Sequence, residues 1–461
     1  MSNFEHATNL QYMFNFLKYC VFLVYYKLQG SFQMKREIKQ LGQELIDFIN
    51  KSPTAFHAAQ NIANTLAKKG FTELDEAKPW KLEKGKGYFV RRNLSSVIAF
   101  RLGTDTPVNT GFKIAGAHTD SPLLKIKESG ENKSANCIRV TTEIYGGPLV
   151  YTWLDRNLGI AGRVMVKTKK GEVEKLVNIN RPVAIVPSLA IHMNREANKG
   201  FEFNPQNHLQ VVLTSDGEAK NVLKTLVAKE IGEKPENIGQ TDLFVYDLQG
   251  GTFCGIDDEM ISSGRLDNLQ MCHSILTAFL AAKPGKATTV AAFYDNEEIG
   301  SRTPMGADSS FTRTILERIV ALTSKGADDR FVAFSKSFLI SADGAHTQHP
   351  NFPEKHDPAY APNMNKGPVI KFSSSFRYAT TAATSSYFEQ LCAGAGVPCQ
   401  KIANRSDVPS GSTIGPMSSA ALGIKAVDVG NAMWAMHSIR ETAGTADHYY
   451  MTKAIEYFFG K

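Results

Sequence analysis

Side chains that can bind metal ions or transfer protons follow several short hydrophobic runs of this sequence. They comprise two histidines and four acids: His118, Asp120, Glu297, Glu298, Asp343 and His437. If the runs are strands of an α/β sheet, these residues lie at the C-terminal ends of the strands, where such sheets bind their ligands. We therefore expect the six residues to meet in one site.

Taken singly, the adjacent acids Glu297 and Glu298 are a weak signal. An acidic pair is usually solvated, but this one closely follows the hydrophobic run Val290 to Tyr294 in the segment AAFYDNEEIGS. Carboxylates at the end of a buried strand need a compensating positive charge, and a metal ion is the natural source. Asp267, at the start of a predicted helix, either joins the ligands or serves merely as the helix cap.

Histidine, aspartate and glutamate together form a ligand set that suits zinc, manganese or cobalt. One carboxylate can bridge two ions about 3.5 to 4 Å apart, as it does in two-metal hydrolases. A glutamate that is not a ligand could then act as general base toward a water molecule. Two adjacent glutamates with separate roles would meet both needs.

Alternating strands and helices are predicted to position these side chains. Helical spacing of apolar residues runs from Ile38 to Ile49, and a second apolar stripe runs from Leu269 to Phe279. Strand-like runs are predicted at residues 87–91, 96–102, 112–117, 290–294, 338–342, 369–372, 400–403 and 426–429. This order predicts an α/β fold, in which a mixed sheet is covered by helices on both faces.

The middle of the chain is β-rich and punctuated by turns. Strand-like runs are predicted there at 137–145, 149–153, 162–166, 176–178 and 209–213, and Gly146, Gly147 and Pro148 indicate a turn. This texture predicts a domain inserted at residues 121–242 between two parts of the α/β domain, 34–120 and 243–461.

Residues 1–33 are predicted to be an N-terminal extension that is not necessarily native. The segment Tyr12 to Tyr26 is apolar and aromatic, but Asn15 and Lys18 interrupt it. It is shorter than the roughly 20 apolar residues of a membrane span, and it lacks the features of a signal peptide. Met34, which opens a charged amphipathic helix, is the alternative start. Residues 10–29 could also direct the protein to a membrane or a receptor.

The composition is that of a globular protein and does not indicate a nucleic-acid-binding or disulfide-rich one. With 461 residues, 43% hydrophobic and 21% charged, the chain can form two or more globular domains. The net charge of +7 is spread too diffusely to indicate nucleic-acid binding. The six cysteines form no CxxC pair and no disulfide framework, so we expect a reducing compartment, the cytoplasm.

Seven segments, in order along the chain, resemble the signature blocks of one enzyme family. They are AHTDSPLLKIK, SSGRLDNL, DNEEIGS, SADGAHTQHPN, GPVIK, GSTIGP and AMHSIRE. The resemblance is to the M18 metallo-aminopeptidases, of the aspartyl aminopeptidase, aminopeptidase I and bacterial M18 aminopeptidase 1 type. It implies a zinc-peptidase-like α/β/α catalytic domain and a dimerisation role for the β-rich insert.

The resemblance also implies two divalent metal ions per subunit, zinc before manganese or cobalt. Asp267 would bridge the ions, His118 and Asp343 would complete one site, and Glu298 and His437 the other. No ligand position is substituted.

Three further residues match catalytic positions of the family. Glu297 would be the general base and proton shuttle. Asp120 would hydrogen-bond the imidazole of His118 and fix its tautomer, although it could instead be a turn cap. His192 would reach the active site of a neighbouring subunit and help stabilise the oxyanion of the tetrahedral intermediate; the alternative is a surface histidine on a helix.

His349, Lys371 and Tyr378 match family positions around the substrate pocket. Lys371 would favour an acidic residue at the substrate's N-terminus, but a lysine after a short strand could equally be a solvated edge charge. The resemblance to bacterial-type members of the family is equally compatible with a preference for neutral or leucine-like residues, so both preferences stay open.

The activity implied is hydrolysis of the N-terminal residue from peptides by a homo-oligomer, on family precedent a tetrahedral dodecamer built from dimers, without nucleic-acid or membrane partners. One alternative is a metal-dependent deacylase or carboxypeptidase that shares the two ions. Another is a peptide-binding scaffold without catalytic activity.

Overall fold

The computed structural model describes residues 33–461. The predicted N-terminal extension, with its segment 10–29, lies outside this range except for residue 33. Within the described range, no helix is both long enough and apolar enough to cross a membrane.

The helices are numbered in chain order. They are α1 (33–50), α2 (Ala55–Lys68), α3 (Pro107–Thr110), α4 (Pro205–His208), α5 (Val222–Ile231), α6 (Leu266–Ala281), α7 (Phe311–Thr323), α8 (Asp329–Ser335), α9 (Ala382–Ala395), α10 (Ile414–Leu422) and α11 (Thr445–Gly460). Short 3-10 helices occur at Val150–Trp153, Pro235–Asn237, Glu297–Ile299 and Pro353–Lys355.

The strands are numbered in the same way. They are β1 (Thr72–Glu73), β2 (Gly87–Arg92), β3 (Ser96–Arg101), β4 (Phe112–His118), β5 (Leu123–Ser134), β6 (Cys137–Tyr145), β7 (Leu158–Thr168), β8 (Gly171–Ala184), β9 (Val211–Thr214), β10 (Ile238–Asp247), β11 (Thr252–Cys254), β12 (Met260–Ser263), β13 (Thr288–Tyr294), β14 (Phe338–Ala342), β15 (Ala345–His346), β16 (Val369–Phe372), β17 (Gln400–Ala403), β18 (Lys425–Gly430), β19 (Ala432–Trp434) and β20 (Glu441–Gly444).

A nine-stranded mixed sheet forms the centre of the α/β part, in the order β1-β2-β3-β13-β4-β14-β18-β16-β17. Strands β13, β4, β14 and β18 run parallel, while β3 and β16 pair antiparallel to their neighbours β13 and β18. The predicted mixed α/β fold is confirmed. Because β4 lies between β13 and β14, the C-terminal ends of all three strands meet at one edge.

Helices cover both faces of this sheet. Every residue of β13 is buried, as expected for a strand in the middle of a doubly covered sheet. On one face, strand residues such as Ala115 and Phe293 pack with Ile275 of α6 and Ile455 of α11. The other face packs against α7, α8 and α10.

The middle of the chain forms a second, antiparallel sheet in the order β8-β7-β10-β5-β6-β9. Its last strand, β10, continues to Asp247, five residues beyond the end predicted for the insert. The prediction of a strand at 149–153 was wrong, because Val150–Trp153 is a 3-10 helix. This helix follows Pro148 and buries Trp153 against the second sheet. The domain boundaries and the dimerisation role stay predictions.

A third, five-stranded sheet, β11-β12-β20-β19-β15, packs beside α1. Leu45 and Ile49 of α1 share a small core there with Ile261 of β12 and Leu269 of α6. This core supports the start of α6, where Asp267 lies.

Candidate metal centre

Five elements bring the predicted ligands together. His118 is the last residue of β4, Asp343 follows β14, and Glu298 lies in the 3-10 helix after β13. Asp267 stands at the start of α6, and His437 follows β19. The ends of three adjacent strands, the start of α6 and the segment after β19 thus converge at one edge of the sheet.

One half of the centre is formed around His118, of which only 1% is exposed. Its Nε2 lies 3.5 Å from Oδ1 of Asp267 and 3.5 Å from Oδ1 of Asp343. The ring is deeply buried, so its two carboxylate neighbours interact with it at low local dielectric.

The other half is formed around His437. Its Nε2 lies 3.5 Å from Oδ2 of Asp267 and 3.4 Å from Oε2 of Glu298. Asp267 therefore presents one carboxylate oxygen to each histidine. Its side chain does not cap α6, which has Arg265 at the capping position.

The donor set fits divalent metal ions. Ligand atoms of His118, Asp267 and Glu298 lie within 4.8 Å of one another. Atoms bound tetrahedrally to zinc are about 3.3 Å apart, given metal-to-ligand distances near 2 Å. The buried oxygens Asp267 Oδ1 and Glu298 Oε1 lack a hydrogen-bond partner among the described residues, as expected of atoms that await a cation.

The electrostatics of the centre also point to missing positive charge. Burial raises the pKa of the Glu297 carboxyl to about 8, and burial beside Asp267 raises that of Glu298 well above its usual range. Burial opposes the charge on His437, but Asp267 and Glu298 outweigh it and raise its pKa to about 10. Without a cation the site retains protons, because so many carboxylates share one buried volume.

Both imidazoles are oriented through Nδ1. His118 Nδ1 lies 3.1 Å from the carbonyl oxygen of Asp120 and 3.4 Å from its Oδ1. His437 Nδ1 lies 3.0 Å from the carbonyl oxygen of Gly147. A carbonyl accepts only, so each ring donates from Nδ1 and leaves Nε2 for a metal ion.

Glu297 lies next to the ligands, with Oε2 3.8 Å from Nε2 of His118. The carboxylate of Asp120 lies behind the turn that carries both glutamates, and it accepts hydrogen bonds from the backbone amides of Glu297 and Glu298. Asp120 thus contacts both the histidine and the acidic turn.

The predicted substrate-pocket residues occupy two neighbouring places. Lys371 is 4% exposed, and its Nζ lies 3.4 Å from Oδ2 of Asp343 and 5.3 Å from the ring centroid of Tyr378. It is therefore not a solvated edge charge. His349 lines a separate cavity of about 270 Å³ with His346 and Arg405.

His192 lies away from these residues. It is exposed in a turn-rich stretch between β8 and β9, not on a helix, and within the described chain its side chain has no hydrogen-bond partner. The structure of one chain does not bring it to the metal centre.

Two contributors were not predicted from the sequence. Glu441 is 1% exposed and accepts hydrogen bonds from the backbone amides of both Asp267 and His437. The turn at Gly146 and Gly147 forms one wall of the centre. Glu441 ends the block AMHSIRE, and a buried acid four residues after a ligand is the signal that could have identified it.

Comparison with known proteins gives consistent matches. A family model described as Aminopeptidase I zinc metalloprotease (M18) matches residues 48–459. The Probable M18 family aminopeptidase 2 of Clostridium acetobutylicum is 47% identical over 432 residues, which is 92% of this chain and 100% of that protein.

Solved structures show the same similarity. A chain in the cryo-EM structure of the Ape4 and Nbr1 complex superposes with a TM-score of 0.90 at 36% identity, covering 92% of this chain and 86% of that one. The S. cerevisiae mApe1 dodecamer superposes with a TM-score of 0.80 at 29% identity, covering 91% of this chain and 96% of that one.

Proposed function

This chain belongs to the M18 family of zinc metalloproteases and is a metal-dependent aminopeptidase, and we propose that each subunit holds two divalent ions and uses Glu297 as general base. The family membership predicted from the seven sequence blocks is thereby confirmed.

The observation that carries the two-ion proposal is the position of Asp267. Its Oδ1 faces Nε2 of His118 and its Oδ2 faces Nε2 of His437, each at 3.5 Å. A carboxylate shared in this way between two histidines is suited to bridge two cations. Asp343 would complete the His118 site, and Glu298 the His437 site.

Divalent ions at such a centre supply Lewis acidity toward the substrate carbonyl and toward water. Glu297 would take a proton from the attacking water at its carboxylate and return it to the leaving amine. Its Oε2 lies 3.8 Å from Nε2 of His118, beside the proposed ligands, and this position supports the role of general base. Zinc is the metal of the family; manganese and cobalt are alternatives for the same ligands.

Asp120 would orient His118. Its backbone carbonyl and Oδ1 both lie near Nδ1 of the imidazole, which supports the proposed role in fixing the tautomer. The same carboxylate accepts the amides of Glu297 and Glu298, so it would hold the base and a ligand in one geometry.

Lys371 would act at the substrate's N-terminal residue. Its ammonium group is buried and already faces Asp343. An acidic substrate side chain would have to share this charge, and a neutral or leucine-like side chain would not. Tyr378 would line the pocket beside Lys371, and His349 would contact the substrate from the neighbouring cavity.

The active site is proposed to be completed by a residue of a neighbouring subunit, His192. His192 is flanked by Ile191 and Met193, which are 48% and 75% exposed. Exposed apolar side chains of this kind favour burial against another protein surface. We propose that this segment lies against a neighbouring subunit in a homo-oligomer, a tetrahedral dodecamer built from dimers, where His192 would stabilise the oxyanion.

A cytoplasmic location is also proposed. The five cysteines of the described chain are free, including the buried Cys272 and Cys392. Free thiols fit a reducing compartment.

Hydrolysis of aminoacyl anilides tests the function directly. The apo protein is reconstituted with zinc and assayed on Asp-, Glu-, Leu- and Lys-anilides and on their N-acylated forms, with chelator treatment and Glu297→Gln as controls. Cleavage that requires both metal and Glu297 supports the proposal and identifies the preferred residue. Cleavage of N-acylated substrates alone would support the deacylase, and no cleavage despite bound metal would support the scaffold.

A further inference from the structure

Tyr145 brings a hydroxyl group from the second sheet to the metal centre. It is the last residue of β6, where it pairs with Leu123 of β5. Its ring meets Phe244 edge-on, with centroids 5.8 Å apart. These contacts fix the direction of the side chain, because the ring packs against β10 while the backbone is paired with strand β5.

The polarity of the hydrogen bonds around Tyr145 is determined by its neighbours. Asn296 accepts a hydrogen bond from Thr303 at Oδ1 and therefore donates from Nδ2 to the Tyr145 oxygen, at 2.9 Å. The hydroxyl in turn donates to Oδ2 of Asp120, at 2.8 Å. Burial, with the nearby Asp120 and Asp295 carboxylates, raises the pKa of Tyr145 above its usual range, so the phenol keeps this proton.

Asp120 connects this hydroxyl to the reacting groups. Its Oδ2 also accepts the amide of Glu298, its Oδ1 accepts the amide of Glu297, and Oδ1 lies 3.4 Å from Nδ1 of His118. Within residues 33–461, Tyr145 provides the one hydroxyl bonded to this carboxylate. Apart from the imidazole of His118, the donor from outside the catalytic turn that holds the Asp120 carboxylate in the described chain is therefore the Tyr145 hydroxyl.

We propose that Tyr145 is a positioning residue for the hydrolysis reaction, which through Asp120 holds the turn of Glu297 and Glu298 in register with His118. The inference rests on the proposed function, because the role of Glu297 as general base is part of that function. It makes the second sheet part of the catalytic apparatus of its own subunit, in addition to any role at an interface.

A cavity of about 260 Å³ beside these residues explains why the hydroxyl matters. Asp120, Tyr145 and Asn296 all line it. Without the phenol oxygen, Oδ2 of Asp120 would be open to water in this cavity, and water would replace a fixed donor with a mobile one. A small displacement of a catalytic group is enough to slow a reaction strongly.

The test is Tyr145→Phe in the full, zinc-reconstituted protein. We expect kcat to fall roughly 10- to 100-fold while KM and bound zinc per subunit stay at wild-type values. The matched control is Tyr88→Phe, whose hydroxyl accepts a hydrogen bond from the amide of Glu83 in the other core of the α/β part. That variant should keep the wild-type kcat.

A double-mutant cycle with Asp120→Asn separates positioning from general loosening of the fold. If Tyr145 acts through Asp120, Tyr145→Phe adds no further loss of kcat in the Asp120→Asn background. Asn296→Asp is a second route to the same state, because an aspartate there would accept the phenol proton and draw it away from Asp120. It should reproduce the loss of kcat.

Two results would overturn the inference: an unchanged kcat in Tyr145→Phe, or an equal loss of kcat with and without Asp120. Failure of the proposed function itself looks different. In that case the wild-type protein with bound zinc cleaves no unblocked substrate, or Glu297→Gln retains full activity.

Discussion

The Nδ1 nitrogen of His437 lies 3.0 Å from the carbonyl oxygen of Gly147, 290 residues earlier in the chain. Gly147 belongs to the turn after β6, so the second sheet orients a side chain of the metal centre. Because the carbonyl only accepts, His437 donates from Nδ1 and presents Nε2 to Asp267 and Glu298. The two sheets therefore build the site together.

The same turn predicts the effect of Gly146→Ala. Gly146 has a φ of +73°, and a Cβ atom there would lie 3.1 Å from Cβ of Glu298. Left-handed backbone costs an alanine about 1 to 2 kcal/mol, and contact with Glu298 adds displacement of a ligand. We expect loss of bound metal and of activity, measured as zinc per subunit and anilide hydrolysis.

Gly396→Ala is the matched control for that variant. Gly396 has a similar φ of +68°, and no atom lies within 4 Å of the added Cβ. It should lose stability without losing metal. If Gly146→Ala keeps as much zinc and activity as Gly396→Ala, the turn does not shape the centre.

Glu297→Gln tests the general base. The amide has the shape of the carboxylate but cannot accept the proton, so the hydrolysis rate should fall by about 10²- to 10⁴-fold. Zinc content should not change, because Glu297 is not a proposed ligand. Glu218→Gln, at a side chain that is 83% exposed, serves as the control. Full activity of Glu297→Gln with metal bound would contradict the mechanism outright.

Glu441→Gln tests the support beneath two ligands. Oε2 of Glu441 accepts the amide of Asp267 at 2.9 Å and Oε1 accepts the amide of His437 at 2.8 Å. Glutamine has only one acceptor oxygen, so one amide would lose its partner. The free energy of unfolding should fall by about 1 to 3 kcal/mol. Zinc affinity, measured by competition with a chelator, should weaken roughly 10- to 100-fold.

Asp447→Asn is the control for Glu441→Gln. Asp447 is also fully buried, and its two oxygens accept the amides of Asn365 and Gly367. Its replacement should lower stability by a similar amount and leave zinc affinity unchanged. Equal weakening of zinc binding in both variants would mean that Glu441 acts through global stability alone.

The sequence predicted the strands of the α/β part well because hydrophobic runs end where polar ligands begin. The predicted bounds 338–342 and 369–372 match β14 and β16 residue for residue. The role of Asp267 could not be decided from local pattern, since helix caps and ligands use the same residue types. The two histidines that its carboxylate faces, on which its proposed role as a ligand rests, lie far away in the chain.

The hydrogen bonds that Glu441 and Gly147 accept could not be predicted for a related reason. Glu441 contacts a partner 174 residues away, and Gly147 one 290 residues away. Hydrogen bonds of this kind depend on how the sheets pack against each other. The spacing of apolar residues along the chain contains no information on that packing. The 3-10 helix at Val150–Trp153 was missed because a short apolar run also suits a strand.

Zinc binding should depend strongly on pH. In the metal-free protein, burial opposes the charge on His437, but the neighbouring Asp267 and Glu298 raise its pKa to about 10. Burial raises the pKa of Glu297 to about 8. A bound ion needs neutral imidazoles, so the metal-free state holds more protons and zinc binding releases them. The apparent affinity should therefore rise with pH up to about 10, the pKa of His437.

Calorimetry in buffers of different ionisation enthalpy measures this proton release. The observed heat of zinc binding at neutral pH should vary with the buffer, and His437→Ala should reduce that variation. A heat that is independent of the buffer would show that the imidazoles are already neutral in the metal-free protein.

Subunit mixing tests whether His192 acts in a neighbouring subunit. His192→Ala and Glu297→Gln should each have little activity alone. In mixed oligomers, a subunit that retains Glu297 can receive His192 from a neighbour that lacks the base, so about a quarter of the sites should recover in a random equal mixture. Two different affinity tags select the mixed oligomers for assay. The double variant His192→Ala/Glu297→Gln mixed with Glu297→Gln must stay inactive, because no subunit then holds the base. Absence of recovery in tagged mixed oligomers of the two single variants would place the action of His192 within its own subunit, or outside catalysis.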